Sequence, residues 1–456
     1  MSTRNRAESH AEGEEAVLTN GSRVAVIGGG PAGSLFAHFL LFQAARVDLD
    51  VAVDIYEPRD FDHPGPIGCN MCGGLMSETL AQNLAADGVF LDRSVIQRGL
   101  DSYVLHTDVG SVRIAAPGDE VRIGAVHRGS GPRGTEPGRW ASLDHYFLTN
   151  AIERGAHVIR ARVDEITRRD GRPVIRARGG ESMTYDLAVV ATGVNTSLLT
   201  AFEGLGIGYE RPQVTKTLIR EYHLGRDVID TSLGTSMHVF LLDIPRLEFA
   251  ALIPKGDHVT MCMLGDDIDT GVGDAFATSP EVRSVMPAGW EPTAPACQCL
   301  PRMNVRGVDR PYADRVVFIG DSGVTRLYKD GIGSAYRTAK AAATTAVFRG
   351  ISKRAFHNHF LPLCLSIRSD NRIGRVAFLL TRIVQRLRPL RRAILTIARD
   401  EQRGGANRLS AVLWDMFSGS APYGEILRRM VDPRLIVDWL RVLPGALVGR
   451  GVLSGQ

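Results

Sequence analysis

Arg23-Val-Ala-Val-Ile-Gly28-Gly-Gly30-Pro-Ala-Gly33 decides the fold of this chain. Four apolar residues run into a glycine turn of the form Gly28-x-Gly30-x-x-Gly33, and an apolar helical pattern follows from Ser34 to Leu41. A second strand-like run, Val51-Ala-Val-Asp-Ile-Tyr56, ends on Glu57, twenty-four residues past Gly33. Strand, glycine turn, helix, strand and acid in this order form the complete dinucleotide-binding context. Gly28 makes the tight turn, Gly30 admits a pyrophosphate to the backbone N–H groups, and Gly33 lets helix and strand touch. Pro31 and Ala32 complete the turn as candidate cofactor-binding residues, and the N-terminus of the following helix faces phosphate charge. Glu57 is placed to accept hydrogen bonds from ribose hydroxyls, with Pro58 and Arg59 just beyond it.

The 456 residues are 44% hydrophobic, enough for a sizeable core. The formal charge of +4 is unevenly spread. Residues 351–456 hold 18 Lys and Arg against 7 Asp and Glu, a net of +11, which leaves the rest at −7. A basic C-terminal region on an acidic body points to an anionic surface or to a solvated helix face; no nucleic-acid partner is expected. Residues 1–21 are polar and read as a disordered tail rather than a targeting segment. No apolar run reaches the roughly 18 residues of a membrane span. Six cysteines make no disulfide framework, so a reducing cytoplasmic compartment is the expectation.

Along the chain, 75–100 looks helical, 101–126 and 157–190 read as short strands, and Leu143 to Glu153 has helical periodicity. Residues 211–300 alternate as strands do, and helices dominate after 320. The expected class is α/β. A Rossmann-like cofactor domain (22–100, 140–200 and 301–350) is interleaved with a β-sheet substrate domain (101–139 and 201–300), and a helical C-terminal region covers 351–456.

Two further motifs name the cofactor. Tyr185-Asp-Leu-Ala-Val-Val-Ala191-Thr192-Gly193 is a strand ending in a small-residue turn. Arg315-Val-Val-Phe-Ile-Gly320-Asp321 is a strand ending in Gly-Asp, followed by Tyr328-Lys329-Asp-Gly331-Ile332-Gly333 and a helix. With the first glycine turn, they resemble the FAD-binding fold of aromatic hydroxylases and geranylgeranyl reductases across about 23–350. The resemblance implies that Asp321 bonds the ribityl chain and that the turn at Gly331, Ile332 and Gly333 offers N–H groups to the flavin ring. A helix N-terminus there stabilises the anionic reduced flavin. There is no second strand–glycine turn–helix unit, so an external donor such as ferredoxin, free reduced flavin or transient NAD(P)H is implied.

The loop Gly68-Cys-Asn-Met-Cys72-Gly73-Gly74 most resembles the geranylgeranyl reductases, which carry a Cys-Gly-Gly segment near the flavin ring. That likeness implies reduction of a carbon–carbon double bond in an isoprenoid or similar hydrophobic substrate, with hydride from flavin N5 and a proton from an acid. Cys72, Tyr328 and Lys329 are the candidate acids by position. Arg139 is the nearest match to the family's pyrophosphate-binding arginine, with Arg128 and Arg133 as rivals. The halogenase motif Trp-x-Trp-x-Ile-Pro is reduced here to Ile253-Pro254, which disfavours that branch.

Cys69-x-x-Cys72 and Cys297-x-Cys299 form two close pairs, open to three readings: an iron–sulfur or zinc site, a redox disulfide, or separate thiols with Cys72 at the flavin. Cys262 and Cys364 sit in apolar runs and read as core. A flavin dehydrogenase passing electrons to a quinone or protein carrier, with a cysteine-bound cluster as relay, is the second function; a flavin monooxygenase is the third. From Arg372 to Arg403, nine arginines interleave with apolar residues, a pattern that either lies on anionic lipid or packs on the body with a basic outer face.

Overall fold

The computed structural model describes residues 16–404 and 407–447. Its centre is a six-stranded sheet ordered Tyr312–Ala313, Val316–Phe318, Leu187–Val190, Ser22–Ile27, Val51–Tyr56 and His157–Ile159. All neighbours are parallel except the first pair. Parallel strands are covered on both faces, which is why Val24 to Ile27 and Leu187 to Val190 are continuously apolar and buried. The helices Pro31–Ala45 and Gly331–Phe348 pack together on one face. Ala339, Ala342, Ala343 and Ala346 on the second helix let the two come close.

A seven-stranded sheet stands beside this core, ordered Cys297–Cys299, Leu218–His223, His258–Gly265, Leu247–Lys255, Ser236–Phe240, Ser102–Thr107 and Gly110–Ala115. Its period-2 alternation sends two apolar sets to opposite faces. Leu218, Phe240, Leu252, Met261 and Met263 build a core with the helix Thr270–Ala277, while Met237, Val239, Ala251 and Ile253 face the other way.

The segment 75–100 departs from its helical expectation. Only Glu78–Ala86 is α-helical, capped by the Ser77 hydroxyl, which accepts from Leu80 N, and Arg93–Val95 adds a single 3-10 turn. Gly88 at φ +78° ends the turn beyond it. Leu75–Ser77 and Ile96–Leu100 instead flank Ile123–Val126 in a small antiparallel sheet, a long-range pairing that local helical periodicity does not reveal. The expected disordered tail falls partly on residues 1–15, which lie outside the described residues. Residues 16–21 are ordered: Leu18 is buried, and Ala16 O accepts a hydrogen bond from Ile351 N at 2.7 Å.

Among the described residues, six helices follow residue 351: Lys353–His359, Leu361–Arg386, Arg388–Gly404, Arg408–Ser418, Tyr423–Met430 and Pro433–Leu447. The run from Arg372 to Arg403 is two helices. Leu387 is extended, and Pro389 lies in the first turn of the next helix, where its missing N–H costs nothing. Among the described residues, no helix is long and apolar enough to cross a membrane.

Candidate active site

The glycine turn is shaped by what surrounds it. Gly28 sits at φ +104°, and a Cβ there would stand 2.5 Å from Ala191 O. A Cβ on Gly33 would stand 1.9 Å from Gly28 O, so Gly33 keeps helix and strand together and does not face the ligand. Glu57 closes the turn from the next strand: one carboxylate oxygen accepts from Gly29 N at 2.8 Å, the other from Arg59 N at 2.9 Å. Burial pushes the Glu57 carboxyl up, and these two N–H bonds pull against it. The acid thus braces the turn as well as lining the cleft.

One cavity of about 580 Å³ runs from this turn into the space beneath the seven-stranded sheet. Its nucleotide end is lined by Gly28, Gly30, Pro31, Ala32, Glu57, Pro58 and Arg59, with Ala191, Thr192 and Gly193 opposite. Its middle is lined by Cys72, Gly73, Gly320, Asp321, Gly331 and Ile332. Gly333 lies in the first turn of the helix against Asp330, off the lining. Burial pushes the Asp321 carboxyl up, with Thr325 and Arg128 opposing.

Arg128, not Arg139, reaches the cavity. Arg128 is buried and donates to both oxygens of Asp144, one bond measuring 3.0 Å. Burial works against its charge, yet Asp144 holds it charged. Asn70 donates to the same carboxylate and accepts from Arg59, so a hydrogen-bonded chain Arg59–Asn70–Asp144–Arg128 ties the loop after Glu57 to the helix Leu143–Glu153. Arg139 is captured elsewhere: it pairs with Asp257 at 2.7 Å and lies over the Trp140 ring. Arg133 lies at the surface, its N–H directed to Cys297 Sγ at 2.8 Å.

The far end is an apolar chamber. Met237 and Val239, then Phe249, Ala251 and Ile253, then Cys262 and Leu264 project from one face of the sheet. Phe378 comes from Leu361–Arg386, and Met416 and Phe417 from Arg408–Ser418. These three C-terminal side chains were invisible to sequence reasoning, since apolar residues at helical spacing look like any core. Tyr328, at φ +57°, sets its ring edge-on to Phe378, with centroids 5.0 Å apart. Lys329 brings the chamber a cation. Its Nζ donates to Asp415 O at 2.9 Å and Ala421 O at 3.1 Å, and lies 4.1 Å from the centre of the Tyr423 ring. Burial, helped by nearby Arg326, lowers its ammonium to about 7.

Among the described residues the four cysteines form no metal-holding cluster, although Cys69 and Cys297 lie close enough to Cys299 to help burial push its thiol up. Of the four, only Cys72 lines the cavity; Cys297 and Cys299 lie on the edge strand, and Cys69 is half-buried in the loop. Among the described residues, no group of three or more His, Cys, Asp or Glu is placed to hold a metal ion. The expected iron–sulfur or zinc site is therefore unsupported. Cys262, expected in the core, faces the cavity beside Cys72, because its strand position shares the face of Leu264.

FAD fits this cleft on its own terms: a turn that tolerates no side chain, a helix N-terminus beside Arg59 and Arg128 for the diphosphate, and a buried acid at the second turn. No family model matches the chain, and no curated protein is a significant match. Solved structures are similar in fold. The flavin-dependent brominase Bmp2 superposes with a TM-score of 0.56 at 14% identity, over 93% of this chain and 94% of its own. A variant of the halogenase PltM in complex with FAD gives 0.58 at 11% identity, over 94% and 92%. A flavoprotein/dehydrogenase from Cytophaga hutchinsonii gives 0.59 at 13% identity, over 90% and 99%. Identities this low establish a common fold, and these neighbours perform different reactions on it.

Proposed function

We propose that this chain is an FAD-dependent oxidoreductase that reduces a carbon–carbon double bond of an isoprenoid or similar hydrophobic molecule. The observation that carries this reading is the continuous cavity that joins a dinucleotide cleft to an apolar chamber holding an amine lowered to about 7. When bound there, FAD would supply hydride chemistry at its N5. Gly28, Gly30, Glu57, Arg59, Arg128 and Asp321 would hold the nucleotide. Phe249, Phe378, Met416 and Phe417 exclude water and orient the substrate. Lys329 delivers the proton to the second alkene carbon, so that one hydride and one proton saturate the bond. An amine lowered to about 7 is both protonated often enough and acidic enough to do this near neutrality. Tyr328 packs beside it as a wall, and Cys72 stands nearer the middle of the cavity. The reductant comes from an external carrier, reduced flavin or NAD(P)H.

The second reading is flavin oxygenation or halogenation, favoured by the likeness to Bmp2 and PltM. The quinone-dehydrogenase reading finds no metal-holding group among the described residues to serve as its relay. One experiment separates the first two. Protein loaded with FAD and reduced without oxygen is mixed with prenyl lipids. Reoxidation together with a product two hydrogens heavier supports the reductase. Reoxidation only on admitting oxygen, with a hydroxylated or halogenated product, establishes the second reading.

A further inference from the structure

The helix Leu361–Arg386 has two faces that do different work. Its inner face contributes Phe378 to the chamber and Asn371, whose side chain holds Leu327 N and Thr325 O, to the segment before Lys329. Its outer face exposes Leu365, Val376, Leu379, Leu380 and Ile383, and Leu387 follows at its end. These positions recur at helical spacing, so they form one stripe. Leu379 is 57% exposed, where burial of such a side chain is the rule for a helix packed on a body.

The arginines of the same region are sorted by face. Those that reach the body are paired: Arg368 with Asp309, Arg382 with Glu248 and Asp266, and the exposed Arg388 and the buried Arg391 with Asp108. Arg372, Arg375 and Arg386 are exposed beside the apolar stripe, and among the described residues none of them makes an ion pair. The one acid of this helix, Asp370, is turned inward to Arg326 and Gly424 N. A second exposed stripe, Ile436, Val437, Leu440 and Leu447, occurs with exposed Arg434 and Arg441 on the helix Pro433–Leu447, where Leu440 is 67% exposed.

We propose that the outer face of the Leu361–Arg386 helix docks on an anionic lipid surface. Apolar side chains that enter the acyl boundary, flanked by unpaired guanidinium groups at headgroup depth, with no outward acid on the helix itself and the exposed Asp266 and Asp309 already paired to its arginines, match such a surface in both polarity and sign. A water-soluble acidic partner would leave the leucine stripe unmatched, and a second copy of the same face would set like charges against each other. The docking rests on this outer face and holds whichever reaction the cavity performs.

The test is flotation of the full chain, loaded with FAD, with vesicles of phosphatidylcholine alone or with phosphatidylglycerol in a two-to-one ratio. Recovery on the anionic vesicles is expected to exceed that on neutral ones by about tenfold and to fall as salt is raised. The pair Leu379→Ser and Ile383→Ser, and separately the pair Arg372→Glu and Arg375→Glu, should each reduce it by about tenfold. Unchanged flavin content and melting temperature verify that the variants fold. Equal or negligible recovery on both vesicle types overturns the proposal. So does light scattering that shows a dimer dissolved by the serine pair, since the stripe is then covered by a second copy.

Discussion

Lys329 is a cation held where water is scarce, and its cost can be measured. Its folded pKa, about 7, lies below the ordinary lysine value. The folded state therefore binds this proton less readily than the unfolded chain. The resulting destabilisation is fully present below pH 7 and is relieved as the pH rises from 7 towards the unfolded pKa. Lys329→Met should raise the melting temperature, more at pH 6 than at pH 9, while keeping FAD. The same variant should lower turnover by about a hundredfold, because a positioned acid contributes on that order. A melting temperature that changes equally at both pH values would show that the amine titrates normally. At the nucleotide end, Gly28→Val forces a side chain against Ala191 O. Flavin content of the purified variant should fall to near zero with the rest of the sheet intact by circular dichroism.

Elements fix what single residues cannot. His106 and His238 stand side by side on parallel strands of the seven-stranded sheet, Nε2 to Nδ1 at 2.9 Å, with Phe240 stacked on His106. Burial lowers His106 to about 3, with His238 adding to it, and lowers His238 to about 4. Both stay neutral in the folded state while the unfolded chain protonates them below its own pKa near 6.5. Stability is accordingly lost as the pH falls from 6.5 towards 4, by about 2 kcal/mol for each imidazole at pH 5. Urea unfolding at pH 7 and pH 5 measures the loss, and His238→Leu should flatten it. On the same scale, the break at Leu387 turns one long amphipathic pattern into two helices with separate tasks. Leu361–Arg386 walls the chamber, and Arg388–Gly404 lies on the sheet edge, where Arg399 and Gln402 donate to the carbonyls of Ser111 and Arg113.

At the scale of the whole molecule, the site is an assembly of three parts: a parallel sheet that presents the glycine turns, an antiparallel sheet that supplies an apolar floor, and C-terminal helices that close it. The closure hangs on ion pairs with the body. Asp108 lies opposite Arg388 and Arg391, and Arg391 is buried with that carboxylate 2.6 Å away. Asp108→Ala leaves a buried guanidinium without its partner, a loss of about 3 kcal/mol. Hydrogen exchange should then accelerate in Arg388–Gly404 before it does in the parallel sheet. Uniform protection in the variant would mean that the helices are held by apolar packing alone.

The amino-acid sequence by itself determined the parallel core and the nucleotide end of the cavity. There the chemistry is local: a glycine forced by a turn, an acid at the end of the next strand, a Gly-Asp after a third. Such constraints are written in consecutive residues. It did not determine the arginine, since Arg128 and Arg139 are alike until Asp144 and Asp257 take one each. Nor did it decide the fate of the cysteines, because spacing along the chain says nothing of which strands become neighbours. The chamber wall from Phe378, Met416 and Phe417, the environment of Lys329, and the sorting of the C-terminal arginines into paired and free were decided by tertiary structure alone. Each depends on residues dozens to hundreds of positions apart meeting in a space from which water has been removed, and there burial sets both charge and contact.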